Sequence, residues 1–502
     1  MSVLARLGLS GIRADDMGSA VAAFVERGDH LTLSREEYKQ VQEWWVSDTD
    51  GTSLFETVLV GALSVPLAVL VFAAVKNATP GLMQWAKTEW RRFLLEFAWL
   101  VTPLVLLFVR DLCTPSWAVS AVLWVLAAAL IVYALSKQVV FDNDKAAIVA
   151  EFSKPRLHFL SQFRASLMLL TVTAILAVDF RVFPRRFAKT ERFGFSPMDM
   201  GVGAFVFAGG LVSRQIRADG QPKTRRYFTQ LRRNLSAALP MLVLGMLRFV
   251  VLHYVGYQQH VSEYGVHWNF FCTLAVVAIL NAVIQPRRCL LWAVCCLALH
   301  QALLSAVGVS VLVEDKSLPR DTLFLANREG ISSCLGFFAL HCAAMTLGQH
   351  VQSLRLRTLR RGTQAVPEWR RLTRRLWQTA LVLLLSAQGL HTTQLLPVSR
   401  KQCNLSYVLV VVGTSCAALA ALLHTSLASR QRHASAHVRL FDSINRNSLV
   451  IFMLANFMTG AVNLSMRTVF VPPLPAATII WLYVFLVCLL AHLLRHRTLK
   501  FW

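Results

Sequence analysis

Acidic side chains are scarce in this chain: 27 Asp and Glu stand against 51 Lys and Arg among 502 residues, and the four types together make only 16% of it. Ordinary soluble domains carry roughly 25% charged residues, so water is not the only solvent for which this sequence is suited. The ten cysteines form no CxxC pair and most sit inside apolar runs. That argues against a zinc site or a disulfide frame and leaves them as small hydrophobes. No P-loop, GxSxG, HExxH or strand-to-helix GxGxxG occurs. ATP-driven transport, serine hydrolysis, zinc proteolysis and dinucleotide chemistry therefore lose support, and neither a metal nor a bound cofactor is expected. The opening MSVLARLGLSG lacks the continuous apolar stretch of a cleaved signal peptide, so the first span is expected to act as its own insertion signal. Internal repeats are not evident either, which weighs against a secondary transporter, whose halves repeat.

What the chain has in quantity is apolar length. It is 55% hydrophobic with a mean hydropathy of +0.51, and the apolar residues come in runs of about 17 to 25, enough for a helix to cross roughly 30 Å of hydrocarbon. Windows of about 19 residues predict spans near 56–75, 93–109, 116–135, 164–180, 199–213, 235–255, 267–284, 289–313, 331–349, 376–397, 404–428, 447–465 and 474–494. The expected fold is therefore all-α and polytopic, with about thirteen transmembrane helices; the short, glycine-rich 199–213 run is expected to be tilted or broken. A charge of +24 would suggest nucleic acid in a soluble protein, but the basic residues lie in loops between the apolar runs. There they orient a multispanning chain, and no nucleic-acid partner is expected. Alternate connections hold about 33 and about 13 Lys and Arg. This predicts a non-cytosolic N-terminal segment, 1–55, a membrane domain, 56–496, and a cytosolic tail, 497–502. The arginine-rich 350–375 linker is expected to face anionic head groups on the cytosolic side.

One connection breaks the charge rule. Residues 181–198 carry Arg181, Arg185, Arg186, Lys189 and Arg192 on the basic-poor face, either because a span is miscounted nearby or because the cations hold something anionic. The words AVDFRVFPRRFAKTERFG place Asp179 at the end of an apolar run, where a carboxylate is costly unless partnered or facing a wet cavity. Lys189 follows ten residues later. Desolvation would raise the carboxylate pKa toward that of a general base while an ammonium would lower it; the spacing alone fits an ion pair closing a helix end equally well. Arg185 and Arg186, after Pro184, present two guanidinium forks suited to a phosphodiester or to interfacial anchoring. GYQQHVSEYGVHWNFF crowds His260, Glu263, Tyr264, His267, Trp268 and Asn269 at the mouth of a span, and LANREGISS sets Asn327, Arg328 and Glu329 before another. All three clusters fall on one predicted face. Asn456 and Asn463, seven residues apart, read as interhelical hydrogen-bonding residues.

These words, together with MDMGVGAFVFAGG, INRNSLVIFMLANFMTGAVNL, YKQVQEWWVSDTDGTS and the terminal FW, cover nearly the whole chain. In them the sequence resembles the inositol acyltransferases of glycosylphosphatidylinositol-anchor biosynthesis, the phosphatidylinositol-glycan class W family. The resemblance implies an endoplasmic reticulum membrane enzyme of about thirteen spans. Such an enzyme moves a fatty acyl group, typically palmitoyl, from acyl-CoA as co-substrate to the inositol 2-hydroxyl of glucosaminyl-phosphatidylinositol. It also implies that Asp179 and Lys189 are the catalytic pair, with the carboxylate as base and the ammonium orienting it or stabilising the oxyanion. Arg185 and Arg186 are expected to hold the lipid phosphodiester, and His267 is a reserve base. Asn269, Asn327 and Arg328 are expected among the substrate-binding residues. A secondary transporter and a non-catalytic scaffold or lipid-binding subunit of an anchor-synthesis complex are the competing readings. About thirty residues before the family-like start, and the arginine-rich linker, lie outside the matched words.

Overall fold

A computed structural model describes residues 17–26, 33–47, 49–109, 145–213, 238–250, 261–283, 288–315, 317–428 and 438–499, with a few isolated positions between 216 and 236. The expected span at 116–135, residues 237 and 251–255 of the 235–255 span, His260 and the terminal FW lie outside the described residues. Among the described residues everything regular is helical, and the one β element is an isolated bridge between Thr52 and Phe195.

Two short helices lead in, α1 (Met17–Glu26) and α2 (Arg35–Val46). Ser34 starts α2 with a capping box: the Glu37 amide donates to its hydroxyl and the Glu37 carboxylate accepts from its backbone N–H at 2.8 Å, satisfying two groups that a helix start leaves open. α3 (Leu54–Val58) runs through a π turn into α4 (Ser64–Ala78). α5 (His158–Ala177) is the central helix. It packs against α6 (Pro197–Leu211), α12 (Leu405–Ala428), α13 (Arg439–Arg446), α14 (Ser448–Ser465) and α15 (Pro473–Leu493). Its Ser166 and Thr173 hydroxyls donate to carbonyls four residues back, at 2.7 and 2.8 Å, which satisfies both hydroxyls in an apolar interior.

A second group gathers on α10 (Arg328–Arg361), which contacts α6, α7 (Val261–Tyr264), α8 (Phe270–Val283) and α9 (Cys289–Ser305) and turns through 362–365 into α11 (Val366–Thr392). Where α10 crosses α6, a Cβ at Gly210 would stand 2.5 Å from the His341 carbonyl, so only glycine lets the two backbones approach that closely.

Among the described residues, six stretches are long and apolar enough to cross a bilayer: Leu54–Ala73, His158–Ala177, Arg328–Thr392, Leu405–Leu427, Ser448–Ser465 and Pro473–His496. Four shorter apolar helices accompany them, Pro197–Leu211, Ala238–Val250, Phe270–Ala282 and Cys289–Ser305. The protein is thus an all-helical membrane protein, and the expected count of thirteen is not reached among the described residues. The 289–313 run is interrupted: its helix ends at Ser305, with Gly308 in the left-handed region at φ +82°. The 56–75 and 93–109 runs each continue through a π turn, at Leu59–Leu63 and Phe97–Val101. The 199–213 run forms an unbroken but 15-residue helix, about 22 Å long at 1.5 Å per residue and shorter than the hydrocarbon core.

The N-terminal segment is docked on the membrane body. Phe24 and Tyr38 pack their rings on Phe470 at 5.7 and 5.5 Å.

Candidate functional site

α5 stops in an apolar environment with its carbonyls still to be satisfied. Val178 and Asp179 close the last turn by donating to Ala174 and Leu176, and the Trp45 indole N–H donates to the Val178 carbonyl at 3.3 Å. Pro184 then prevents renewed α-helix and the chain makes a single 3-10 turn at Arg185–Phe187. The loop is fastened at its far end. Thr52 donates to the Phe195 carbonyl at 2.7 Å, and Gly194 to Val398 at 3.0 Å. Gly194 has φ +141°, and a Cβ there would meet the Asp50 carbonyl at 2.5 Å, so both the conformation and the space require glycine. The residues between Asp179 and Phe195 are held at both ends.

This loop forms the polar end of a cavity of about 790 Å³, within the range of small-molecule sites. Asp179, Lys189, Glu263, His267, Asn269 and Arg400 all line it. The remaining wall is mostly apolar and includes Leu167, Leu170, Phe205, Phe452, Met453 and Phe457 from α5, α6 and α14.

The polar groups fall into two connected sets. In the first, one Asp179 carboxylate oxygen accepts from the Asn463 amide at 2.7 Å, and the Asn463 carbonyl oxygen accepts from Thr468 at 3.2 Å. Burial pushes the Asp179 carboxyl up to about 7, against the opposing influence of the Asn463 hydrogen bond and the Lys189 charge. In the second, the Lys189 ammonium donates to Glu263 at 2.8 Å, and the Arg400 guanidinium bridges Glu263 at 3.2 Å and Asp199 at 2.8 Å. The other Asp199 oxygen accepts from the Thr190 hydroxyl at 2.7 Å and the Thr190 amide at 3.2 Å. Burial raises the Glu263 carboxyl, but the charges of Lys189 and Arg400 outweigh it and leave that group at about 2. Glu263 is therefore an anion throughout the physiological range, and Asp179 is the carboxyl that titrates near neutrality.

The expected site residues separate in the structure. Asp179, Lys189, His267 and Asn269 line the cavity. Lys189 makes its direct ion pair with Glu263, and Asp179 takes its direct hydrogen bond from Asn463; Lys189 reaches Asp179 through its field. The other four do not line the cavity, because each is engaged elsewhere. Arg185 donates to the Ser47 carbonyl at 2.7 Å and lies over the Trp45 ring. Arg186 forks onto Glu56 at 2.8 to 3.2 Å. Asn327 accepts from the His267 amide at 2.8 Å and donates to Leu323 at 2.9 Å, clamping the loop in front of the cavity. Arg328 is fully buried and donates to the Asp315 and Leu318 carbonyls. Asp199 and Arg400 carry the second set, yet their sequence context gave no role to either; Asn463, read as an interhelical hydrogen-bonding residue, holds Asp179.

The family model GWT1 matches residues 38–494 of the chain. A Dictyostelium discoideum protein named phosphatidylinositol-glycan biosynthesis class W protein is 30% identical, covering 93% of this chain and 100% of its own length. The mouse glucosaminyl-phosphatidylinositol-acyltransferase PIGW is 29% identical over 92% of this chain and 99% of its own. A GPI-anchored wall transfer protein 1 from Cryptococcus neoformans var. grubii is 36% identical over 69% of this chain and 63% of that protein.

Proposed function

The chain belongs to the GWT1 family, and from that premise we propose that it transfers a fatty acyl group, palmitoyl in the first instance, from acyl-CoA to the inositol 2-hydroxyl of glucosaminyl-phosphatidylinositol. The observation that carries this reading is the half-buried Asp179 carboxyl, near neutral in pKa, on a cavity whose wall is mostly apolar. A base poised near the working pH beside a lined apolar volume suits proton abstraction from a hydroxyl next to a bound acyl chain.

One Asp179 oxygen is occupied by Asn463, which leaves the other to take the hydroxyl proton. As the inositol oxygen bonds to the thioester carbonyl carbon, charge develops on the carbonyl oxygen. Lys189 has three N–H donors, of which Glu263 holds one; a second would stabilise that oxyanion. When the tetrahedral intermediate collapses, the carbon–sulfur bond breaks, the CoA thiolate leaves, and the proton held by Asp179 passes to it. Leu167, Leu170 and Phe205 would take the acyl chain. The step uses no metal and no bound cofactor, and membrane lipids surround the site. The reaction class fits the endoplasmic reticulum membrane, with the N-terminus lumenal and the C-terminus cytosolic. Protease protection of terminal tags in sealed microsomes tests that orientation: protection of both tags, or of neither, would refute it.

Purified protein assayed for transfer of labelled acyl from acyl-CoA to glucosaminyl-phosphatidylinositol tests the function. Transfer by the wild type and its loss in Asp179→Asn is the expected result. No transfer by the wild type would overturn the enzymatic reading in favour of a lipid-binding subunit; full transfer by the variant would overturn the role of Asp179.

A further inference from the structure

With Arg185 and Arg186 engaged by Ser47 and Glu56, the phosphodiester of a phosphoinositide substrate needs another cation. Four described cations line the cavity: Lys189, Arg248, Arg400 and Lys401. Three of them already face carboxylates. Lys189 lies 2.8 Å from Glu263, Arg400 bridges Glu263 and Asp199, and Lys401 lies 3.6 Å from Glu314. Arg248, on the helix Ala238–Val250, is exposed at the cavity wall and acts on Glu263 only through its field. Among the described residues no carboxylate lies within ion-pair distance of it.

The helix bearing Arg248 is also fixed in place. The buried Asn269 side chain donates to the Gly245 carbonyl at 2.9 Å, while its oxygen accepts from the Phe271 and Cys272 amides at the start of α8. A Cβ at Gly245 would stand 3.1 Å from that same oxygen, so the contact is close. Arg248 follows three residues later, and its neighbour Phe249 packs on the His267 ring at 5.4 Å. Asn269 thereby joins the wall that carries Lys189's partner loop to the wall that carries Arg248.

We infer that Arg248 is a substrate-binding residue that takes the phosphodiester of the phosphatidylinositol moiety, with Asn269 as the residue that positions its helix. A guanidinium fork matches two phosphate oxygens, and a cation with no ion-pair partner among the described residues, on the wall of a mostly apolar cavity, suits a singly charged lipid phosphate. The inference rests on the proposed reaction for its choice of lipid. The phosphates of CoA share the same chemistry, so kinetics with each substrate varied separately distinguish the two sources.

In the full-length protein, Arg248→Gln is expected to raise KM for glucosaminyl-phosphatidylinositol about tenfold to a hundredfold, with KM for acyl-CoA and kcat unchanged. Arg248→Lys, which keeps the charge and loses the fork, falls between. A binding measurement without acyl transfer separates this inference from the proposed reaction. Short-chain phosphatidylinositol titrated into wild type and Arg248→Gln is expected to show the same loss of affinity, and dioctanoylglycerol, which has no phosphate, no difference. Equal affinity of the two proteins for phosphatidylinositol would overturn the assignment. So would a rise confined to KM for acyl-CoA.

Discussion

Two cation-bearing regions of this protein are built in opposite ways. At the cavity, Arg400 and Lys189 are locked to Asp199 and Glu263 in a chain of ion pairs that ties two loops to α6 and α7. On the α10–α11 hairpin, Arg360, Arg361, Arg370, Arg371, Arg374 and Arg375 are exposed, with Glu368 at the turn. A buried cation is costly unless fully partnered, so its geometry is fixed by what neutralises it. An exposed one keeps its water and contributes little to the fold. Position relative to carboxylates, more than charge count, therefore separates cations that serve a site from cations that serve a surface.

The largest break in this comparison comes at Asp179. Its replacement by Asn should lower acyl transfer by about 10² to 10⁴, the range of general-base catalysis, measured as kcat/KM on purified protein. Next is Glu263→Gln, which leaves Lys189 and Arg400 short of a carboxylate. It should cost about 3 kcal/mol of stability, seen as a lower unfolding temperature in detergent, with Glu263→Asp closer to wild type. Asn463→Ala removes one neutral donor from the base and leaves Asp179 in place. A loss of several-fold in kcat/KM is expected, corresponding to about 1 kcal/mol, with the fold intact by circular dichroism. The smallest effect is reserved for the hairpin: replacing Arg370, Arg371, Arg374 and Arg375 together by Gln should change kcat/KM less than about twofold in uncharged detergent micelles, because exposed charges away from the cavity are screened.

The helical class and the candidate base were legible because both are local. Apolar runs announce helices, and a carboxylate at the end of such a run announces a demand for a partner. The grouping of the 179–192 and 256–269 words was also legible, through alternation of loops across the membrane, and both line one cavity. Partner choice was not legible. Arg400 meets Asp199 across 201 positions and Asn463 meets Asp179 across 284, and no spacing rule reaches that far. Arg186 looked like a phosphate ligand because its fork is real, yet Glu56, 130 positions earlier, already fills it. Helix count was obscured for a different physical reason: hydropathy windows register apolar length and not continuity, and the left-handed Gly308 interrupts a run that looks continuous in composition.

The pH dependence of acyl transfer tests the role of Asp179 most directly. A carboxyl raised by desolvation to about 7 is protonated and inactive as a base below that value, so kcat/KM should rise about tenfold per pH unit from pH 5 toward 7 and level off above it. In Asp179→Asn the residual rate should lose that limb. A wild-type profile that is flat from pH 5 to 8, or a limb that survives in Asp179→Asn, would contradict Asp179 as the base.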